Sequence, residues 1–156
     1  MLRRFGACLA VGSSILVAAA HPGTAAAHDD REYDRAEFSI RLTPDQVRGG
    51  GDRGAIGAAR LAFDEDRRVA CYVIEWRGLE GDVTAAHLHA ARRYDDGPHA
   101  IDFFNDRRYD GDHETVAGCV TSDRETIQDI VERPSDFYLN IHTTAFEAGA
   151  IRGQLD

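Results

Sequence analysis

The sequence predicts an all-β protein, an antiparallel Greek-key β-sandwich or barrel of about eight strands with one short helix. Three observations lead to this fold class. Short stretches alternate apolar with polar residues, turn residues separate these stretches at intervals of roughly eight to twelve positions, and one stretch has helical spacing. The length of 156 residues suits one domain with a modest core.

The first half of the chain contains four predicted strands. In the first, Phe38, Ile40 and Leu42 alternate with polar residues, which indicates a half-buried strand. In the third, apolar residues occupy both faces, so we expect a central strand covered at least partly on each side. Glycines before the second strand predict a loop, and acidic residues after it predict a hairpin turn. The four strands are expected at residues 37–42, 56–63, 68–76 and 83–90.

The second half contains the helix and four more predicted strands. Ser122 or Asp123 can cap the helix, Ile127 and Ile130 recur at helical spacing, and Pro134 prevents its continuation. Polar stretches predict loops before and after the fifth strand. These strands are expected at residues 99–104, 115–121, 137–142 and 150–155, and the loops at 91–98 and 106–113.

The N-terminal segment is typical of a signal peptide. Arg3 and Arg4 precede an apolar run that is too short for a membrane span, and small residues lead to a cleavage site. We therefore expect a periplasmic or secreted protein without a membrane span. The predicted organisation is a signal peptide at residues 1–27, a charged arm at 28–35 and one domain at 36–156.

The predicted cleavage sites suggest a further metal ligand. Cleavage after Ala27 leaves His28 as the first residue, and cleavage after Ala20 leaves His21. An N-terminal histidine offers its amine and a ring nitrogen to one ion, which suits Cu(II). The alternative is that an alanine-rich cleavage region precedes a histidine by chance.

The predicted mature chain is strongly acidic. It keeps 16 arginines and all 27 acidic residues and has no lysine, so its formal charge is −11. This charge argues against nucleic acid or anionic lipid as a partner. It favours the accumulation of cations, although acidic surfaces are also common on soluble proteins.

Two cysteines, Cys71 and Cys119, follow the signal segment. In an oxidising compartment an even pair is consistent with one disulfide. The alternative is two buried free thiols that pack as small apolar residues.

Two predicted strands place histidines on a polar face. Alternate side chains of a strand share a face, so His87 and His89 lie on one side and Leu88 on the other. In the strand at 137–142, His142 lies opposite the apolar face. If the strands are neighbours, three imidazoles converge at the surface of the sandwich, where they could bind a metal ion. The alternative is a structural role, in which the rings bond backbone or carboxylates and hold strands together.

Other residues are candidates to support this site. His99 and His28 could complete the coordination, and Asn140, on the face of His142, could orient a ring through a hydrogen bond. Arg152 and Gln154 share a face of the last strand, where we expect cross-strand pairing with acidic residues.

Three segments together resemble the CHRD domain, which is named after chordin and is widespread in exported bacterial proteins. They are VTAAHLH at 83–89, FYLNIHT at 137–143 and AGAIRGQL at 148–155, and the resemblance extends over about residues 36–156. It implies a β-sandwich but no settled activity.

A looser likeness is to copper-zinc superoxide dismutase, a Greek-key β-barrel. Its copper site uses a His-x-His strand, a Gly-Pro-His segment and a later histidine. Here His87-Leu88-His89, Gly97-Pro98-His99 and His142 stand in that order. This likeness is an analogy that rests on few residues.

The first functional hypothesis is an exported copper-binding protein that serves copper storage, transfer or tolerance. Copper is favoured by the affinity order of nitrogen sites, with zinc as the alternative ion. The second hypothesis is a metal-free module that binds a protein partner, a second copy of itself or a cell-surface polymer. A superoxide dismutase-like enzyme is a further alternative, although the acidic charge would repel superoxide. No hydrolase or phosphate-loop motif is present.

Overall fold

A computed structural model describes residues 35–156, so the predicted signal peptide, most of the arm, His21 and His28 lie outside the described residues. Within this range the protein is an antiparallel β-sandwich, which confirms the predicted fold class. The eight strands are β1 (Arg35–Leu42), β2 (Ile56–Asp64), β3 (Val69–Arg77), β4 (Val83–Ala90), β5 (His99–Phe104), β6 (His113–Thr121), β7 (Phe137–Thr143) and β8 (Ile151–Gln154).

The strands form two four-stranded sheets with Greek-key connections. The first sheet has the order β1-β2-β3-β6, and the second has the order β5-β4-β7-β8. The chain leaves β3 to form the β4–β5 pair in the second sheet and then returns as β6 beside β3. A bridge between Thr43 and Arg152 connects the β1 edge of one sheet to the β8 edge of the other.

The core lies between the two sheets because each strand turns its apolar face inward. Leu61 and Ile74 from the first sheet and Leu88 and Ile141 from the second are each fully buried. Strand β3 is central, as predicted, and its outward-facing residues are only half-exposed near the middle of the strand. Burial of this apolar surface is the main force that holds the sheets together.

The predicted helix is α1 (Arg124–Glu132), and it adds Ile127 and Ile130 to the core. The side chain of Asp123 accepts a hydrogen bond from the backbone N–H of Thr126 at 2.8 Å. Asp123 rather than Ser122 therefore caps the helix.

Cys71 on β3 lies directly opposite Cys119 on β6, and the two form a disulfide. This confirms the disulfide and excludes the alternative of two free thiols. The bond joins residues 48 positions apart and lies on the outer face of the first sheet, on the side opposite the core. It is therefore separate from the histidine-bearing sheet.

Candidate metal centre

Four histidines meet on the outer face of the second sheet. Strand β4 carries His87 and His89 at the centre, β5 lies on one side and β7 on the other. In the pairing of β4 with β5, His89 lies opposite His99, and in the pairing with β7, Ala85 lies opposite His142. The sheet therefore brings His99 and His142 to the His-x-His pair from opposite sides.

The ring nitrogens of three of these residues form a group that could hold one ion, and the fourth residue, His142, contacts one of the three. His87, His89 and His99 each offer one nitrogen, and these atoms lie within 4.8 Å of one another. His87 Nδ1 lies 3.2 Å from His142 Nε2. Two nitrogens bound to one metal at about 2.0–2.1 Å would be about 3 Å apart. The separation between His87 and His142 matches this value.

Backbone carbonyls orient two of the four rings. His142 Nδ1 lies 2.8 Å from the Glu147 carbonyl oxygen, and His89 Nδ1 lies 2.9 Å from the Gly97 carbonyl oxygen. A carbonyl only accepts hydrogen bonds, so both Nδ1 atoms carry the proton. The Nε2 atom of each ring keeps its lone pair for a ligand.

Side-chain oxygens orient the other two rings. His99 Nδ1 lies 2.8 Å from Asp102 Oδ1, and the same carboxylate oxygen lies 3.8 Å from His87 Nε2. His87 Nε2 also contacts Asn105 Oδ1. In the neutral tautomers that donate to these acceptors, the proton is on Nδ1 of His99 and on Nε2 of His87, and the lone pair is on His99 Nε2 and His87 Nδ1. Outer hydrogen bonds of this kind are typical of metal-ligating histidines.

Protonation of three of these rings is disfavoured. Burial lowers the pKa values of His87 and His89, and it lowers the pKa of His142 to about 4. The rings of His87, His89 and His142 are therefore neutral near pH 7, the form that binds metals. His89 Nε2 is buried and has no hydrogen-bond partner among the described residues. Such an atom is costly unless something binds it.

The expectation that the histidines lie at an exposed surface is wrong for two of them. His87 and His89 do lie on the outer face of the sandwich, but each is only 7% exposed. Residues 91–98, called the covering loop here, fold back over this face because the sheet donates hydrogen bonds to their backbone. His99 remains open to solvent, since its side chain is 51% exposed.

The last strand holds the covering loop in place. Arg152 donates to the carbonyls of Asp95 and Arg92 at 2.9 and 3.0 Å, and Gln154 donates to the Ala91 carbonyl at 3.0 Å. The expected pairing of Arg152 and Gln154 with acidic side chains is therefore wrong. Neither residue reaches a carboxylate within the described part of the chain; both bind main-chain oxygens instead.

Asn140 lies in the same region but acts on the backbone. It is directly opposite His87 in the pairing of β4 with β7. Its Nδ2 donates to the Ala148 carbonyl at 3.2 Å, in the turn whose Glu147 carbonyl orients His142. Gly149 packs against the Asn140 amide, where a Cβ atom would lie 2.5 Å from Oδ1. Among the described residues, the hydrogen bonds of Asn140 thus support the turn and do not reach a ring directly.

The whole sandwich, including the four histidines, matches a known protein family. The family model for the CHRD domain matches residues 38–155. The chain belongs to the CHRD family. No curated protein and no solved structure matches it, so the likeness to superoxide dismutase is not shown.

The CHRD domain is an extracellular β-sandwich module, and the disulfide agrees with an oxidising compartment. Within residues 35–156, no helix has the length and apolar character needed to cross a membrane.

Sequence reasoning did not identify Asn105 and Gly97 as partners of the ligand rings. Asn105 follows the end of β5, and Gly97 contributes a main-chain atom, so neither has a side-chain pattern that points to the site. Asp102 lies three positions after His99, a spacing that a regular strand would place on opposite faces. An irregularity in the pairing of β4 with β5 brings the two side chains to the same side of the edge strand.

Proposed function

We propose that this CHRD-family protein binds one copper ion outside the cytoplasm and serves copper storage, transfer or tolerance. The ligands in this proposal are His87 Nδ1 and the Nε2 atoms of His89, His99 and His142. Imidazole nitrogens suit copper and zinc, and copper is favoured because it stands highest in the affinity order for such sites. His28 remains a candidate further ligand from outside the described residues.

One observation carries the proposal. His87 Nδ1 and His142 Nε2 face each other at 3.2 Å although the outer partners of both rings are acceptors. Two lone pairs at this distance repel each other unless a cation lies between them, one ring takes up a proton, or His87 adopts the tautomer that donates from Nδ1, which the Asn105 oxygen at its Nε2 disfavours. The low pKa of His142 disfavours the proton, which supports the metal ion.

The test is the metal content of mature protein produced with its native N-terminus. After dialysis, one equivalent of copper and an electron paramagnetic resonance spectrum with hyperfine splitting from nitrogen ligands are expected. His89→Ala and His142→Ala should lose both. His113→Ala is the matched control, because His113 is an exposed histidine on the other sheet.

Retention of no copper at micromolar concentration would reject the proposal. The four rings would then be structural, as in the alternative of a metal-free module that binds a protein or a polymer. Retention of zinc in preference to copper under equal competition would reject copper as the ion.

A second candidate function is a superoxide dismutase-like reaction. The observation that favours it is the open side of the site, where the side chains of His99 and Asp102 are 51% and 48% exposed. A small ligand could approach from this side. A dismutation assay of the copper-loaded protein, with His99→Ala as the comparison, tests it; a rate no greater than that of free copper would reject it.

A further inference from the structure

Arg152 is an unusual residue for the interior of a protein. It is 2% exposed, and among the described residues its guanidinium binds only carbonyls and an aromatic ring. Buried arginines normally pair with a carboxylate, because removing the charge from water is costly. The contacts that compensate for this cost therefore indicate what Arg152 does.

These contacts connect the covering loop to a candidate ligand. The guanidinium carbon lies 3.2 Å from the centre of the Tyr138 ring, and Tyr138 stacks on His89 with a ring separation of 4.7 Å and an angle of 3°. The two Nη atoms hold the loop at Arg92 and Asp95. Arg152 thus holds the covering loop by hydrogen bonds, and it contacts the His89 ring indirectly, through the Tyr138 ring that lies between them.

The centre of the covering loop, residues 92–96, has other side-chain contacts, but they are weak. Arg48 pairs with Asp96, Arg92 with Asp136 and Arg93 with Asp156, and the arginine side chain of each pair is 42–79% exposed. Exposed ion pairs contribute little to stability. Charge-assisted hydrogen bonds in a buried setting are stronger, so the two bonds from Arg152 dominate the closure of the loop centre.

We propose that Arg152 is a positioning residue that keeps the covering loop closed over the histidine site and thereby slows the escape of a bound metal ion. The closed loop supplies the Gly97 carbonyl that orients His89, and it leads directly into His99. Opening the loop would release both rings from their orientation. This inference rests on the proposed function, but its first test needs no metal.

The first test is limited trypsin digestion of the metal-free full-length protein. Trypsin cleaves after arginine, and Arg92 and Arg93 lie in the covering loop, so mass spectrometry of the nicked fragments reports loop opening. Arg152→Gln should be cut there at least about tenfold faster than wild type, since two charge-assisted bonds are lost. Arg152→Lys keeps the charge with fewer aligned donors and should give an intermediate rate.

The matched control is Arg48→Gln, which removes an arginine contact to the same loop at an exposed site. Its cleavage rate should stay within about twofold of wild type. Equal rates for Arg152→Gln and wild type, or equal acceleration by Arg48→Gln, would overturn the inference. If Arg152→Gln does not fold, as judged by circular dichroism, the Lys variant carries the same comparison.

The second test is the rate of copper release to an excess of a chelator. Arg152→Gln should release copper at least about tenfold faster than wild type while keeping the nitrogen hyperfine signature. Wild-type protein that binds no copper would reject the proposed function and this coupling, whereas the trypsin result would still decide whether Arg152 closes the loop. Faster nicking with an unchanged release rate would overturn the link between the loop and metal retention.

Discussion

Replacement of Asp102 by asparagine tests the site through a residue that is not itself a ligand. One oxygen of this carboxylate lies 2.8 Å from His99 Nδ1 and 3.8 Å from His87 Nε2. The carboxylate therefore accepts the hydrogen bond from His99 Nδ1, and its negative charge favours the proton that His87 directs from Nε2 to Asn105. The substituted side chain would be neutral, and its amide could present a donor to either ring, so both rings would lose part of their preference for the ligating tautomer.

The expected loss of copper affinity is about 10- to 100-fold, the usual effect of removing a carboxylate behind a ligating histidine. This corresponds to about 1.4–2.7 kcal/mol of binding free energy. The metal-free fold should hardly change, since the Asp102 side chain is 48% exposed and exposed ion pairs contribute less than about 1 kcal/mol. The assay is a copper titration against a competing chelator, with thermal unfolding of the metal-free protein alongside.

Asp82→Asn is the matched control for this measurement. Its side chain is also 48% exposed, and it pairs with Arg108 away from the histidines. It removes the same charge from the protein, so a general electrostatic effect on cation binding would appear in both variants. Wild-type affinity in Asp102→Asn, or an equal loss in Asp82→Asn, would refute the proposed role of Asp102.

Three further predictions concern pH, the disulfide and the covering loop. The pKa of His142 is about 4 in the folded state and about 6.5 in the unfolded chain, so between these pH values the unfolded state binds more protons and the free energy of unfolding falls as pH drops. With partial exposure discounted, His142 contributes about 2 kcal/mol to this fall, which urea unfolding at pH 7.5 and 4.5 measures. The dependence of the unfolding free energy on pH should be weaker in His142→Gln. Replacing Cys71 and Cys119 by Ala should lower the free energy of unfolding, measured in urea, by about 2–4 kcal/mol without changing the copper stoichiometry. Loss of copper binding in this variant would contradict the separation of the disulfide from the histidine site. Gly97→Ala should destabilise the protein by more than about 2 kcal/mol, because the new Cβ would lie 2.1 Å from the Ala90 carbonyl oxygen; a wild-type melting temperature would show that the loop does not need this close approach.

Much of the architecture followed from local patterns. Alternation of apolar and polar residues located all eight strands, with β4 and β5 at their observed bounds, because a strand buried on one face imposes a period of two. The same period placed His87 and His89 on one face. Strand β6 begins at His113, two residues before the predicted start, where charged residues obscured the alternation.

Only the tertiary structure decided what surrounds the histidines. The sequence could place His142 on a polar face, but the β4–β7 pairing brings it to 3.2 Å from His87, and the β4–β5 pairing brings in His99. The pairing of Cys71 with Cys119 likewise depends on the register of β3 against β6, which brings together two residues 48 positions apart in the sequence. The burial of the site depends on Arg152, which binds backbone carbonyls 57 and 60 positions away. Carbonyl groups are common to all residues, so contacts to them leave no trace in the side-chain pattern, and only the folded chain shows that the polar face is covered.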